Sequence, residues 1–247
     1  MTELSRTIPR HDMSRPTQEL GLEVIRNLSD PARAAAESLL AESLRDRWSH
    51  VQRVAATAGE LADAVGLSQA ERDLAVASAW LHDVGYAPAL LRSLDSRCLG
   101  PTGFHPLDGA VYLYAEGWPD DLVGLVAHHS LADVEALHRG LEPELVQYPD
   151  RPGLVRDVLW VADLTSGPRG QGLTVDERLT DVVLRYGRDH LVSECMVVVA
   201  AAAARRLHGR ADAGGRRSVA LSVAMGAWLV ADPASLAANP AAGRPSR

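Results

Sequence analysis

The chain of 247 residues is 47% hydrophobic, 23% charged and only 4% aromatic, a balance that describes one medium globular domain with tails and excludes wholesale disorder or a collagen-like repeat. Its net charge of −7 argues against general binding to nucleic acid, which needs a basic face to neutralise phosphates. All 25 basic residues are arginine, so anion recognition must use Arg, metal ions, backbone N–H groups or hydroxyls, and lysine Schiff-base and Walker-type chemistry are excluded.

Residues 1–20 are polar, lack the apolar core of a signal peptide and read as a flexible tail. From 21 to 210 the pattern is helical almost throughout. Apolar side chains at Val51, Val54, Ala55, Ala58, Leu61, Ala62 and Val65 fall three and four apart, which predicts a helix with one buried face, stopped by Gly66. Ser68 and Glu71 form a capping box for the next helix, which runs through His82 to Gly85. Further helices are expected over His105–Glu116, Asp120–His129, Leu131–Arg139, Gly153–Leu164, Val175–Tyr186 and His190–Leu207.

Gly209–Arg217 reads as a linker, and residues 211–247 as linker, appended helix near Ser218–Val230 and flexible tail. The apolar stretch Ser218–Ala231 is shorter than the roughly 20 residues a membrane span needs. Cys98 and Cys195 make neither a disulfide framework nor a metal-type spacing. A cytoplasmic protein is expected, with the apolar run Cys195–Ala204 packed internally or in a homo-oligomer contact. Convincing alternating β segments are absent, so the fold class is all-α.

Chemistry concentrates in histidines and aspartates. His82-Asp83 closes a periodic apolar helix in AVASAWLHDVGY, unlike the other His-Asp pair, His11-Asp12, which lies in the polar tail. His50 stands at the edge of an apolar arc, His105 follows a Gly- and Pro-containing loop, and His128 and His129 end LVGLVAHHS. Asp163 falls one turn after Leu159, on the stripe made by Val155, Val158, Leu159 and Ala162. A carboxylate on a buried stripe is costly unless paired or bound to metal. A single such residue is usually structural; seven in this order suggest a common cation, for which neutral imidazole and carboxylate are suitable ligands.

The order His…His-Asp…His…His-His…Asp resembles the HD superfamily of metal-dependent phosphohydrolases over roughly residues 45–190, in its HDIG form with Val84 in place of Ile. ADLTSGPRGQGLTVDERL is similar to the final motif of a bacterial subgroup. The resemblance implies a helical bundle with inward-facing ligands. His50, His82, Asp83 and Asp163 would hold a first divalent metal, and Asp83, His105 and His128 a second, with Asp83 bridging. His129 would be a further ligand, a phosphate contact or the general acid that protonates the leaving group. One or two ions are implied, Mn²⁺, Fe²⁺, Ni²⁺, Co²⁺ or Zn²⁺.

Many relatives carry a phosphate-contacting Lys three residues after the motif Asp; this chain has Tyr86. Arg53, three residues after His50, and Arg169 in SGPRGQG are the expected substitutes, with Arg92 a weaker third. Asp108 is a candidate to orient an imidazole, and Trp80, Trp118, Trp160 and Tyr86 are candidate nucleobase platforms. The expected activity is hydrolysis of a nucleotide or other small phosphomonoester or phosphodiester through a metal-activated water. Two alternatives stay open: a mixed-valence di-iron oxygenase with the same ligands, and a nucleotide-responsive module without turnover.

Overall fold

The computed structural model describes residues 27–97 and 100–188 and, beyond them, Ser193, Met196, Ala203, Arg206, Leu207, Gly209 and Arg210. The N-terminal tail, Cys98, Cys195 and the appended helix near Ser218–Val230 lie outside the described residues. Ten α-helices and no strand occur among those described, so the chain is all-α as its periodicity predicts. The described positions between Ser193 and Arg210 are helical, and this includes Gly209 and Arg210 at the start of the expected linker.

α1 (Ser29–Leu40) has no side-chain cap of its own. The buried Asp73 supplies one from α3, accepting from the Leu28 and Ser29 N–H groups and from Ser29 Oγ. α2 (Arg45–Val65) begins six residues before Val51 and ends at Gly66 in the left-handed conformation. α3 (Gln69–Leu81) starts on the Ser68–Glu71 capping box. A single 3₁₀ turn (Val84–Tyr86) leads into α4 (Pro88–Ser96), whose Pro88 opens the first turn.

α5 (His105–Ala115) and α6 (Asp120–Ala127) pack against each other. A second 3₁₀ turn (His129–Leu131) precedes α7 (Ala132–Arg139) and the short α8 (Glu142–Leu145). α9 (Leu154–Leu164) packs on α2 and α3, and α10 (Val175–Tyr186) begins on a Thr174–Glu177 capping box.

Two apolar clusters hold these helices. One joins α1, α4, α5 and α6 through residues such as Leu40, Leu90, Phe104, Leu113 and Leu122. The other joins α2, α3 and α9 through Val54, Leu61, Ala75, Leu159 and Val161, with Leu207 against it. Small residues allow close approach where they meet. A Cβ on Gly85 would stand 1.9 Å from the His105 carbonyl oxygen and 2.8 Å from Gly109 N. Backbone cannot yield as a flexible side chain does, so the glycine of HDVG is what lets the 3₁₀ turn rest on the first turn of α5. Gly85→Ala is therefore expected to lower stability by about 1–3 kcal/mol, read as a fall in the urea midpoint at unchanged m-value.

Candidate metal centre

Five helices deliver donors to one point. His50 lies in the second turn of α2, Asp163 next to last in α9, and His105 first in α5. His82 and Asp83 follow the end of α3, and His129 follows the end of α6. The chain turns sharply after His129: Ser130 (φ 48°, ψ 45°) and Leu131 (φ 66°) both adopt the left-handed conformation that non-glycine residues avoid. That turn lets Ser130 Oγ donate to Asp163 Oδ2.

Backbone carbonyls fix the direction of three imidazoles. Nδ1–H of His50 donates to the Gly167 carbonyl (3.1 Å), that of His82 to Ala79 (2.7 Å) and that of His129 to Val126 (2.6 Å). With Nδ1–H so engaged, each ring turns its Nε2 inward. The Gly-rich loop after α9 is folded by Gly167 N–H to Gln171 carbonyl and Leu173 N–H to Thr165 carbonyl bonds. It rests on α2, where a Cβ on Gly170 would meet the Ser49 carbonyl oxygen at 2.7 Å. This loop thus supplies the carbonyl that orients His50.

The inward atoms crowd together. His50 Nε2 is 3.3 Å from His82 Nε2 and 3.1 Å from Asp163 Oδ1, and His105 Nε2 is 3.1 Å from His129 Nε2. Asp83 divides its oxygens: Oδ2 lies 3.6 Å from His50 Nε2 and 3.4 Å from His82 Nε2, whereas Oδ1 lies 3.4 Å from His105 Nε2 and 3.9 Å from His129 Nε2. Within each of the groups His50–His82–Asp83 and Asp83–His105–His129, one donor atom per residue lies within 4.8 Å of the others. Donors roughly 2.1 Å from a common ion, at octahedral to tetrahedral angles, stand about 3.0–3.4 Å apart. Facing lone pairs repel unless a cation or proton lies between them, so the donor set fits divalent ions of the first transition row.

Placement of the expected residues divides clearly. His50, His82, Asp83, His105, His129 and Asp163 converge. His128 does not, which corrects its expected ligand role: its Nδ1 pairs with Asp133 (2.7 Å), its Nε2 accepts no inward partner because it donates to the Tyr148 carbonyl (2.8 Å), and α6 ends so that the following residue, His129, faces in. Two donors to anionic and carbonyl oxygens also favour the charged ring, and His128 is raised above its ordinary value despite burial. Asp108 orients no imidazole; it accepts from Thr102 N–H and Oγ1 and from Gly103 N–H, tying down the loop before α5.

Of the expected phosphate contacts, Arg53 is exposed and rests against Gly172, Arg169 is exposed in the loop after α9, and Arg92 is exposed on α4. Trp80 stacks on Trp48 (5.5 Å), and Trp160 donates from Nε1 to the His128 carbonyl (3.1 Å), so these rings belong to the body of the bundle. Trp118 packs against the first apolar cluster. Tyr86 does stand at the centre, stacked on His105. The arginine that reaches the cluster is Arg47, whose Nη1 is 2.7 Å from Asp83 Oδ2. α2 begins at Arg45, ahead of the apolar run, and this puts Arg47 three residues before His50 on the same face. The i−3 spacing was the available signal, equal in kind to the i+3 spacing of Arg53.

The electrostatics are those of a charge cluster sealed from water. Burial opposes ionisation of Asp83 and Asp163, but His82 and Arg47 hold the first, and His50 and His82 the second, well below the usual carboxylate range. Burial likewise opposes a charge on His82, and the carboxylates of Asp83 and Asp163 outweigh it, raising the imidazole to about 9. Burial dominates at His105, pushed down to about 3, and at His129, lowered further by the His82 charge. Without an ion, a protonated His82 therefore joins Arg47 beside the two aspartates.

A ligand must shed its proton to bind metal. Binding of Mn²⁺ at pH 7 is expected to release about one proton from the His50–His82–Asp83 group, with apparent affinity rising about tenfold per pH unit up to about 9. Titration calorimetry in buffers of different ionisation heat measures the released proton directly; affinity independent of pH between 6 and 8 would contradict the assignment.

The HD domain family model matches residues 47–177, a little over half of the chain. No curated protein and no solved structure matches it. The matched stretch begins at Arg47, contains all six converging donors and has the all-α architecture of that family. The chain belongs to the HD domain family.

Proposed function

We propose that the protein is a metal-dependent phosphohydrolase acting on a small phosphomonoester or phosphodiester, a nucleotide being the leading candidate. The observation that carries this reading is the split carboxylate of Asp83, one oxygen toward His50 and His82 and the other toward His105 and His129. Such an arrangement suits two neighbouring divalent ions. Ions bound there would supply Lewis-acid polarisation of phosphoryl oxygens and acidification of a water.

The chain's own residues then have separable tasks. His50, His82, Asp83 and Asp163 would hold one ion, and Asp83, His105 and His129 the other. His129 has its Nδ1–H committed to Val126 and its Nε2 turned to the cluster, so it serves as a ligand rather than as the acid for the leaving group. Arg47 is one-third exposed, while Asp83 beneath it is almost fully buried. Asp83 takes Nη1 of the guanidinium, and a phosphate entering above the carboxylate would be met by its other N–H donors. Burial of every donor but His105 keeps bulk water from competing for the reacting centre.

Elemental analysis followed by a phosphoester panel with Mn²⁺, Co²⁺ or Ni²⁺ restored tests the reading. Phosphate or nucleoside release is expected, lost in Asp83→Ala together with bound metal. Arg47→Ala is expected to keep the metal but lower kcat/KM about ten- to hundredfold, the worth of a charge-assisted hydrogen bond. Iron with oxygen uptake and no phosphate release would replace hydrolysis by oxygenation, and nucleotide binding without turnover would leave a responsive module.

A further inference from the structure

The four inward imidazoles are not held alike. His50, His82 and His129 each fix their orientation with Nδ1–H on a backbone carbonyl. Among the described residues no acceptor stands at His105 Nδ1, and its hydrogen-bond neighbour is His129 at Nε2. His105 is also the most exposed of the four, its side chain 20% accessible against 4% or less for the others. A ring so placed at the first residue of a helix needs another restraint if Nε2 is to stay aimed at Asp83.

Tyr86 provides it. Its ring is stacked on His105 with centroids 4.0 Å apart and planes inclined by 17°. The Arg47 guanidinium carbon lies 4.3 Å from the same centroid. Two groups at those separations cannot share one face, so the phenol is sandwiched between imidazole and guanidinium. Arg47 in turn donates to Asp83 Oδ2 while His105 approaches Oδ1. Tyr86 therefore braces both groups that address Asp83 from the solvent side. With both faces covered, it offers no platform for a nucleobase.

The geometry points to Tyr86 as a positioning residue of the second ion site: the face of its ring replaces, for His105, the carbonyl that orients the other three imidazoles. This inference rests on the metal-centre reading above. It makes the aromatic face, and not the hydroxyl, the operative feature.

The experiment is Mn²⁺ titration calorimetry with elemental analysis on the full chain, in the wild type and in Tyr86→Phe, Tyr86→Leu and Tyr86→Ala. Tyr86 is 40% exposed, and Leu preserves most of the buried volume, so thermal melts should show all variants folded. The wild type and Tyr86→Phe are expected to take two ions with similar affinities. Tyr86→Leu and Tyr86→Ala should keep the first ion unchanged and bind the second about ten- to hundredfold more weakly, as removal of an orienting group typically does. Two ions bound normally by Tyr86→Leu and Tyr86→Ala would overturn the role of Tyr86 alone. Tyr86→Phe as weak as Tyr86→Ala would overturn it in favour of the hydroxyl. A wild type that takes fewer than two ions would overturn the two-ion reading and this inference with it.

Discussion

Asp83 and Asp163 lie beneath the protein surface beside imidazoles whose lone pairs point toward them and toward one another. Burying a carboxylate without compensation costs several kcal/mol, and facing lone pairs add to that cost. A shared positive charge resolves both problems. In the ion-free protein Arg47 and a protonated His82 supply it; the donor set is equally suited to divalent cations. The rest of the architecture follows from holding these groups close against their mutual repulsion.

That holding is done by backbone. Gly167, Ala79 and Val126 present carbonyls to three imidazoles, and each carbonyl comes from a helix end or a folded loop. Helix termini leave carbonyls without intrahelical partners, so placing the donors at the ends of α3 and α6 orients the rings without further side chains. Gly85 and Gly170 allow the 3₁₀ turn and the loop after α9 to lie directly on neighbouring backbone. The strained pair Ser130 and Leu131 bends the chain so that His129 faces inward and Ser130 reaches Asp163. Local strain is thus concentrated where the cluster demands an abrupt change of direction.

His128 and Arg47 show how finely neighbouring positions are separated. His128 and His129 are consecutive and both buried. Their chemistry differs because α6 stops at Ala127, sending one ring to Asp133 and Tyr148 and the other to the cluster. In an unbroken helix, consecutive side chains stand about 100° apart around the axis. For arginine, residues three before and three after His50 share its face equally by spacing. Arg47, in the first turn of α2, meets Asp83, while Arg53, beyond His50, meets Gly172.

Periodicity determined the helices that carry the donors, because a one-sided apolar stripe at 3.6 residues has no other way to be buried, and the capping boxes at Ser68 and Thr174 show how local side-chain chemistry fixes starts. The order of His and Asp on those stripes likewise marked most of the cluster, since buried polar groups need a shared partner. Which of two adjacent histidines turns inward, which arginine touches the aspartate, and that Tyr86 braces His105 were decided only in three dimensions. Each depends on where a helix ends or on which end meets its neighbours, and those are set by packing between distant segments rather than by spacing along the chain.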